Sequence, residues 1–516
     1  MESRNKAVSS YFSKIKINTK HQPFVDSATD GLLNGDIPYH YAKADSRDIY
    51  YLDHVILKDY LNESPKELAI KNLNKLSLED LSFELDLIDK QFVYATMKGY
   101  HYPNIEADDK IQLFDNKLLH KELDNIFDSI ESSYIKNPEG NESWLIMSDD
   151  FETKVMNTEL LSGTSGLTVF FAYYIGTTLD VDRKEKAINY LDVCLNKETL
   201  SLEYYKKLID SSNQVLGLQG LGGSILSLCI TYKTFKQEKD KELLLKEIDL
   251  LKNIDFNSYN TVDVYGGLAG LLIVLCKNID IFDREILIEY INKIANRIIE
   301  LRTLEHKGYL LWDNLGKNRP ISGFGHGVIG IVEALTLAYE ITGNEEYLKV
   351  SIDAYKYEHD MYSKKLKTWP DFRSLSFAYE YMNGLCSGAP GIGNAILSIS
   401  KEKKAFDTYD EDLSKAKKAC FEKQNYRDHL CCGNGAVIDF LINAYNSTNQ
   451  KDYLDKAYNI ATKMIERKNT IGNYVLLPSD YKTNNNPSLF FGLAGIGLEI
   501  IKLIKAIEKQ DWILLF

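Results

Sequence analysis

Two kinds of hydrophobic pattern alternate along the last two thirds of this 516-residue chain. One kind is apolar on every side: GLAGLLIVLC (267–276), GVIGIVEALTLAY (327–339), GIGNAILSI (391–399) and GLAGIGLEIIKLI (492–504) carry few charges, and helices of that composition are buried. The other kind is amphipathic. REILIEYINKIANRIIELR (284–302), EEYLKVSIDAYKY (345–357) and DYLDKAYNIATKMIERK (452–468) set apolar residues at helical spacing and keep charges for the opposite face, as outer helices do.

Glycine marks the joints. Of 31 glycines, 22 fall in seven short windows at 163–166, 217–223, 266–270, 323–330, 384–393, 433–435 and 492–497. With Gly163, Gly220, Gly267, Gly325, Gly388, Gly433 and Gly492 as markers, the steps are 57, 47, 58, 63, 45 and 59 residues. Each step is the length of a helical hairpin plus loops, so the windows mark an internal repeat. One such hairpin cannot bury its apolar helix alone, and lateral stacking with ring closure solves the problem for all seven. The prediction is an all-α chain: a seven-fold α/α toroid, a double layer of helices, over residues 151–516. A smaller, mostly helical segment over 1–150 precedes it, with the boundary in the loop NPEGNES (137–143). Only 10 prolines in the whole chain fit long uninterrupted helices.

Charge narrows the function. The net charge is -13 with no basic run, which leaves phosphate backbones nothing to bind and argues against nucleic acid. The first residues, MESRNKAVSSYF, have no apolar core, and no stretch approaches the roughly 18 to 20 apolar residues of a membrane span. A cytoplasmic protein without a transmembrane segment is expected. Seven cysteines are too few for a disulfide framework.

Three windows hold the reactive side chains: Cys386 in NGLCSGAPG, Cys431 and Cys432 in HLCCGNGA, and His326 in SGFGHGVIG. Rim loops of a toroid converge, so three thiolates from two successive repeats suit tetrahedral zinc with one position left open, the pattern of a catalytic rather than a structural site. A substrate thiol bound there would lose its proton at neutral pH. Cys194, Cys229, Cys276 and Cys420 lie outside these windows and read as buried small hydrophobes. His326 either caps a helix or acts as acid or base; Asp263 in TVDVYGGLAG reads most simply as a helix cap; His429 is a spare ligand, a group behind the ligands, or structural.

Together the windows resemble the lanthionine synthetase cyclase family over roughly residues 155–510: seven glycine-rich repeats, DVYGGLAG, GHGVIG, CSGAPG and CCG. Cys-Cys-Gly rather than Cys-His-Gly is similar to one branch of the bifunctional class II lanthipeptide synthetases. DGLLNGDIPYHYAKADSRDIYYL (30–52) and LSLEDLSFELDLI (76–88) look like the tail of their dehydratase domain. Leu385 departs from the Trp that often precedes the metal-binding Cys, and GNGA (433–436) is about one residue tighter than the usual motif.

The resemblance implies that Cys386, Cys431 and Cys432 bind Zn2+, that His326 is the catalytic acid/base and that Asp263 assists it. The implied reaction is addition of a peptide Cys thiolate to dehydroalanine or dehydrobutyrine, giving a (methyl)lanthionine ring. The implied partner is a dehydrated, leader-bearing precursor peptide; whether a separate dehydratase works with this chain is left open by the sequence. No phosphate-cradling loop and no kinase-type HRD or DFG motif occurs in residues 1–150, so the chain is not expected to dehydrate Ser or Thr. The rival readings are a peptide-binding scaffold with structural zinc, glutathione addition to dehydrated proteins, and an α/α-barrel glycosidase, which needs paired rim carboxylates where the windows offer only Asp263.

Overall fold

The computed structural model describes residues 21–95, 105, 113–147, 153–209, 215–314, 316, 318–373, 383–476 and 486–510. The chain divides into two compact units, Met1–Ile88 and Asp89–Phe516. The first carries α1 (Gln22–Asn34), an antiparallel sheet of β1 (His40–Tyr41), β2 (Ile49–Tyr51) and β3 (His54–Leu57), α2 (Pro65–Leu73) and the start of α3 (Leu78–Ala95). Helix α2 is entered through a capping box: the Ser64 hydroxyl accepts the Glu67 N–H while the Glu67 carboxylate accepts the Ser64 N–H.

In the second unit the apolar runs become seven helices that pack side by side in a closed ring: α5 (Thr164–Ile175), α7 (Leu221–Phe235), α9 (Leu268–Lys277), α11 (Val328–Thr342), α13 (Ala389–Ser398), α15 (Asn434–Thr448) and α17 (Leu493–Glu508), with α17 returning to α5. The closing seam is tight enough that a Cβ on Gly497 would lie 2.6 Å from the Phe170 ring. Six amphipathic helices lie outside them, each packed on the inner helix that precedes it: α6 (Val181–Ile209), α8 (Glu238–Asp249), α10 (Arg284–Glu300), α12 (Glu345–Asp360), α14 (Tyr409–Glu422) and α16 (Lys451–Ile471). This is the double-layered toroid that the alternating patterns predict.

The seventh outer helix comes from before the first glycine window. Helix α4 (Asn116–Glu131) packs on α17 and buries Leu119, Leu123, Ile126, Phe127 and Ile130, a stripe at helical spacing. It is tied to other hairpins by Tyr474 Oη donating to Glu122 (2.8 Å) and Tyr174 Oη donating to Asp124 (2.7 Å). The boundary expected near residue 150 therefore falls inside the second unit. Between α4 and α5 runs a second small sheet, β4 (Tyr134–Lys136), β5 (Glu142–Met147) and β6 (Thr153–Val155), so the stretch ahead of the repeats is helical with short sheets inserted.

The first two hairpins enclose a polar knot. The hydroxyl of Ser224 lies 2.8 Å from Glu198 and 2.6 Å from Glu247, and Ser165 also donates to Glu198. One hydroxyl proton serves two buried carboxyls, and burial raises both acids, so the pair retains a proton that the unfolded chain releases near pH 4.3. A raised acid pKa means the folded state binds more protons than the unfolded one, so this contribution to stability falls as pH rises from about 4.5 through neutrality. Glu198→Gln is accordingly expected to raise Tm by a few degrees at pH 8 and by less at pH 5. Thermal unfolding at the two pH values checks it; an equal shift at both contradicts it.

Candidate active site

Each inner helix begins at the same rim, and each takes a glycine as its N-cap: Gly163, Gly220, Gly267, Gly327, Gly388, Gly433 and Gly492. In the fourth window the cap is Gly327, the first residue of the apolar run and two residues past the Gly325 that marks the repeat step. The rim loops are stitched together in ring order by backbone hydrogen bonds. Leu218 N–H reaches Val264 O (3.1 Å), Val264 reaches Gly325 O (3.0 Å) and Gly325 reaches Cys386 O (2.9 Å). Leu385 reaches Cys431 O (2.7 Å), Cys431 reaches Phe490 O (2.9 Å) and Phe490 reaches Leu161 O (2.9 Å). Close approach is part of this design: a Cβ on Gly384 would sit 2.9 Å from both Cys431 O and Cys432 Cα.

That stitching carries three sulfurs to one point. Cys386 Sγ is 3.1 Å from Cys432 Sγ, which is 3.4 Å from Cys431 Sγ, and the three sulfurs lie within 4.8 Å of one another. Cys386 and Cys431 are buried and Cys432 is partly open. Hydrogen bonds from Cys431 and Cys432 hold the Cys386 thiol well below the usual range, with Arg373 and His326 adding positive charge; bonding to Cys386 holds the other two thiols well above it. The set shares protons as a unit. Its chemistry fits zinc. Three soft sulfur donors converge at the positive ends of the helices, a tetrahedral ion has room for a fourth ligand, and Cys432 marks the open side.

His429 is not a member of the group. Its Nδ1 accepts the Cys432 N–H at 3.3 Å, and burial pushes the imidazole down to about 3, so it is a neutral acceptor that fixes the Cys432 backbone. The structure gives this residue the part of a support behind the three sulfurs. Cys194, Cys229, Cys276 and Cys420 lie buried and apart from the trio, with their thiols raised by burial.

His326 and Asp263, from neighbouring windows, meet beside the sulfurs. His326 Nδ1 lies 2.6 Å from Asp263 Oδ2, while Asp263 Oδ1 accepts the Gly266 N–H at 2.8 Å. Asp263 is thus not the cap of the following helix, which is Gly267, but holds a turn of the rim loop just before it and also holds the histidine; at 4% exposure its carboxylate has little water to compete with that bond. Asn314, beyond the hairpin of β7 (Leu304–His306) and β8 (Tyr309–Leu311), donates to the His326 carbonyl at 2.7 Å. With Nδ1 engaged, Nε2 is the nitrogen left for chemistry.

Two neighbours were not singled out from the sequence. The Tyr265 ring packs edge-on to His326 (5.1 Å), and burial followed by the charge of the three cysteines keeps its hydroxyl protonated. Arg373 holds a two-pronged bond to the buried Asp371, with Nε 3.0 Å and Nη2 2.7 Å from Oδ2, and interacts electrostatically with Cys386 and Cys432. Asp263 is engaged by His326 and Asp371 by Arg373, so these two acids form no free carboxylate pair of the glycosidase kind.

A family model described as lanthionine synthetase C-like protein matches residues 154–515. The lacticin 481/lactococcin biosynthesis protein LcnDR2 of Lactococcus lactis subsp. lactis is 22% identical over 495 residues, which cover 91% of this chain and 49% of that protein. The chain thus spans about half the length of this curated relative. Among solved structures, a nisin cyclase shares 17% identity with a TM-score of 0.49, covering 68% of this chain and 88% of its own. An unsaturated glucuronyl hydrolase from Streptococcus agalactiae shares 13% with a TM-score of 0.41, covering 81% and 100%.

Proposed function

Because the chain belongs to the lanthionine synthetase C-like family, we propose that it is a zinc-dependent lanthipeptide cyclase. The observation that carries this reading is the meeting of Cys386, Cys431 and Cys432 beside the His326–Asp263 pair on one rim. The substrate is a leader-bearing precursor peptide in which Ser or Thr has already been dehydrated to dehydroalanine or dehydrobutyrine. No helix among the described residues is long and apolar enough to cross a membrane, in keeping with a cytoplasmic site of action.

The three cysteines hold zinc, which when bound lowers the pKa of an incoming peptide thiol and keeps it nucleophilic. The rim then holds that thiolate near the β-carbon of the dehydro residue, so that addition is intramolecular. As the S–Cβ bond forms, the alkene π pair moves to the α-carbon and its carbonyl. His326, with Nδ1 held by Asp263, delivers a proton to the α-carbon from Nε2 and is reprotonated from solvent by the equivalent of the thiol's proton. Atoms balance within the peptide, so the product is an isomer of the substrate.

Incubation of a dehydrated, Cys-containing peptide with the chain and excess glutathione tests the reading by mass spectrometry. The expected product has the substrate's mass and no longer takes up a thiol-alkylating agent; a gain of one glutathione would favour glutathione transfer instead. Given an unmodified precursor with ATP and magnesium, the chain is expected to leave Ser and Thr intact, since residues 1–150 carry no nucleotide motif. Loss of water from that peptide would contradict this part.

A further inference from the structure

His326 stands in a loop that restrains itself poorly. Gly323, Gly325 and Gly327 surround it within five residues, and glycine gives up more backbone freedom on folding than any other residue. A proton donor has to be placed to within about 0.5 Å of its working position, so the precision comes from whatever grips the loop. On one side Asn314 donates to the His326 carbonyl, Asp263 holds Nδ1, and the Gly325 N–H reaches Cys386 O at 2.9 Å. The other side, where the chain enters through Pro320 and Ser322, is held by α12 of the outer layer.

Glu358, near the end of α12 and buried, makes most of that grip. Its Oε1 accepts the Ser322 hydroxyl at 2.5 Å and the Gly323 N–H at 3.1 Å, and the neighbouring Tyr357 Oη donates to Pro320 O at 3.2 Å. Gly323 has φ 111°, which side chains rarely allow, and a Cβ there would lie 3.0 Å from Cys386 O and 3.1 Å from Ser387 Cα. The loop is therefore pinned between Glu358 and the backbone that carries Cys386. The Ile321 carbonyl accepts the Val328 N–H at 2.8 Å and closes the turn around His326. The buried acids of the first two hairpins work differently, since Glu198 and Glu247 meet hydroxyls inside inner helices, Ser165 of α5 and Ser224 of α7. Glu358 reaches a loop instead, at Ser322, five residues ahead of the helix cap Gly327.

We propose that Glu358 is a positioning residue that fixes the His326 loop and thereby where the imidazole stands when it protonates the α-carbon. It acts through Ser322 and Gly323 and forms no bond to the peptide. The inference rests on the cyclase reading for the role of His326. No bond is made or broken at Glu358, so its share of the step is geometric. Loosening it displaces the proton donor and leaves the bound peptide as before, which lowers the rate of ring closure at saturating peptide and not the affinity for the peptide.

Single-turnover ring closure of a dehydrated, Cys-containing peptide is measured for Glu358→Ala in the wild-type and in the His326→Ala background. In the wild-type background a loss of about 10²-fold is expected, with zinc content and the half-saturating peptide concentration unchanged. In the His326→Ala background the same change should cost less than about twofold, because a residue that acts through His326 has nothing left to place. Glu358→Gln keeps an oxygen for Ser322 and Gly323 and should restore most of the rate. Ser322→Ala loosens the same grip without altering α12 and gives the same comparison should Glu358→Ala fail to fold. Equal losses in both backgrounds would make Glu358 a general brace of the fold and overturn the proposal, as would a wild-type rate in Glu358→Ala. A second readout needs neither metal nor turnover. In the chain labelled with 13C at histidine, the ring signal missing from His326→Ala identifies His326, and it is expected to shift in Glu358→Ala and to return in Glu358→Gln. An unmoved signal overturns the proposal whatever the activity. A shifted signal in a wild-type chain that closes no rings upholds the placement of His326 by Glu358 and overturns the cyclase reading.

Discussion

Cys386→Ala is expected to reduce bound zinc from one ion per chain to near zero and to abolish ring closure in a protein that still folds. Cys386 supplies one of three sulfurs, and the other two come from a single loop whose backbone reaches it through the Leu385–Cys431 hydrogen bond of 2.7 Å. Structural zinc sites hold their ion with about 10 to 16 kcal/mol of binding free energy spread over the ligand set. Deleting one of only three protein ligands removes a large share of it. The fold should survive, because Ala removes one small buried sulfur from a rim whose stitching runs through backbone atoms. Cys194→Ala is the matched control: that thiol is buried in α6, away from the trio, and its loss should change neither zinc nor activity. Metal analysis alongside thermal unfolding checks both variants. Full zinc occupancy in Cys386→Ala would sink the metal assignment.

His326→Ala is expected to keep zinc and fold while slowing ring closure by ~10²- to 10⁴-fold, the usual worth of general acid–base help. The argument is geometric. His326 is tied to Asp263 rather than to the sulfurs, and its helix is capped by the backbone of Gly327, so neither the metal nor the helix depends on the ring. Asp263→Asn should have a smaller effect in the same direction, because an amide still bonds Nδ1 but no longer balances a charged imidazole. Single-turnover rates with a dehydrated peptide, with zinc measured on the same samples, decide the matter. Loss of zinc from His326→Ala would make the histidine a ligand, and wild-type rates would remove it from the chemistry.

The parts of this architecture that repeat were legible in the sequence. Glycine is needed wherever two rim loops touch, as Gly384 is against Cys432, so the windows mark the rim and the steps between them count the hairpins. Reactive residues within windows, such as His326 and the cysteine pair, could therefore be placed on one surface before any coordinates. What escaped notice lies outside that period. Helix α4 precedes the first window, so the outer partner of α17 could not be found by counting steps. Arg373 sits in a loop whose length the repeat does not constrain, and only its bond to Asp371 and its electrostatic interaction with two cysteines reveal it. Tyr265 was one of 34 tyrosines, which read as packing. The apolar run of α17 also hid a buried ion cluster. Lys502 lies 2.9 Å from Glu499 and 2.5 Å from Asp439 of α15, and it is protected by burial rather than placed at the surface. Such pairing is set by the ring neighbour, which a linear pattern does not contain.

The most direct test of the central claim is the resistance of a dehydrated, Cys-containing peptide to thiol alkylation after incubation with the chain, read by mass spectrometry. The untreated protein is expected to yield peptide of unchanged mass that no longer takes up the alkylating agent. Protein stripped of metal by a chelator should leave the thiols fully alkylated, and restored zinc should bring protection back. Full alkylation of the peptide by the zinc-loaded wild-type chain would contradict the account and leave a metal-containing peptide-binding scaffold in its place.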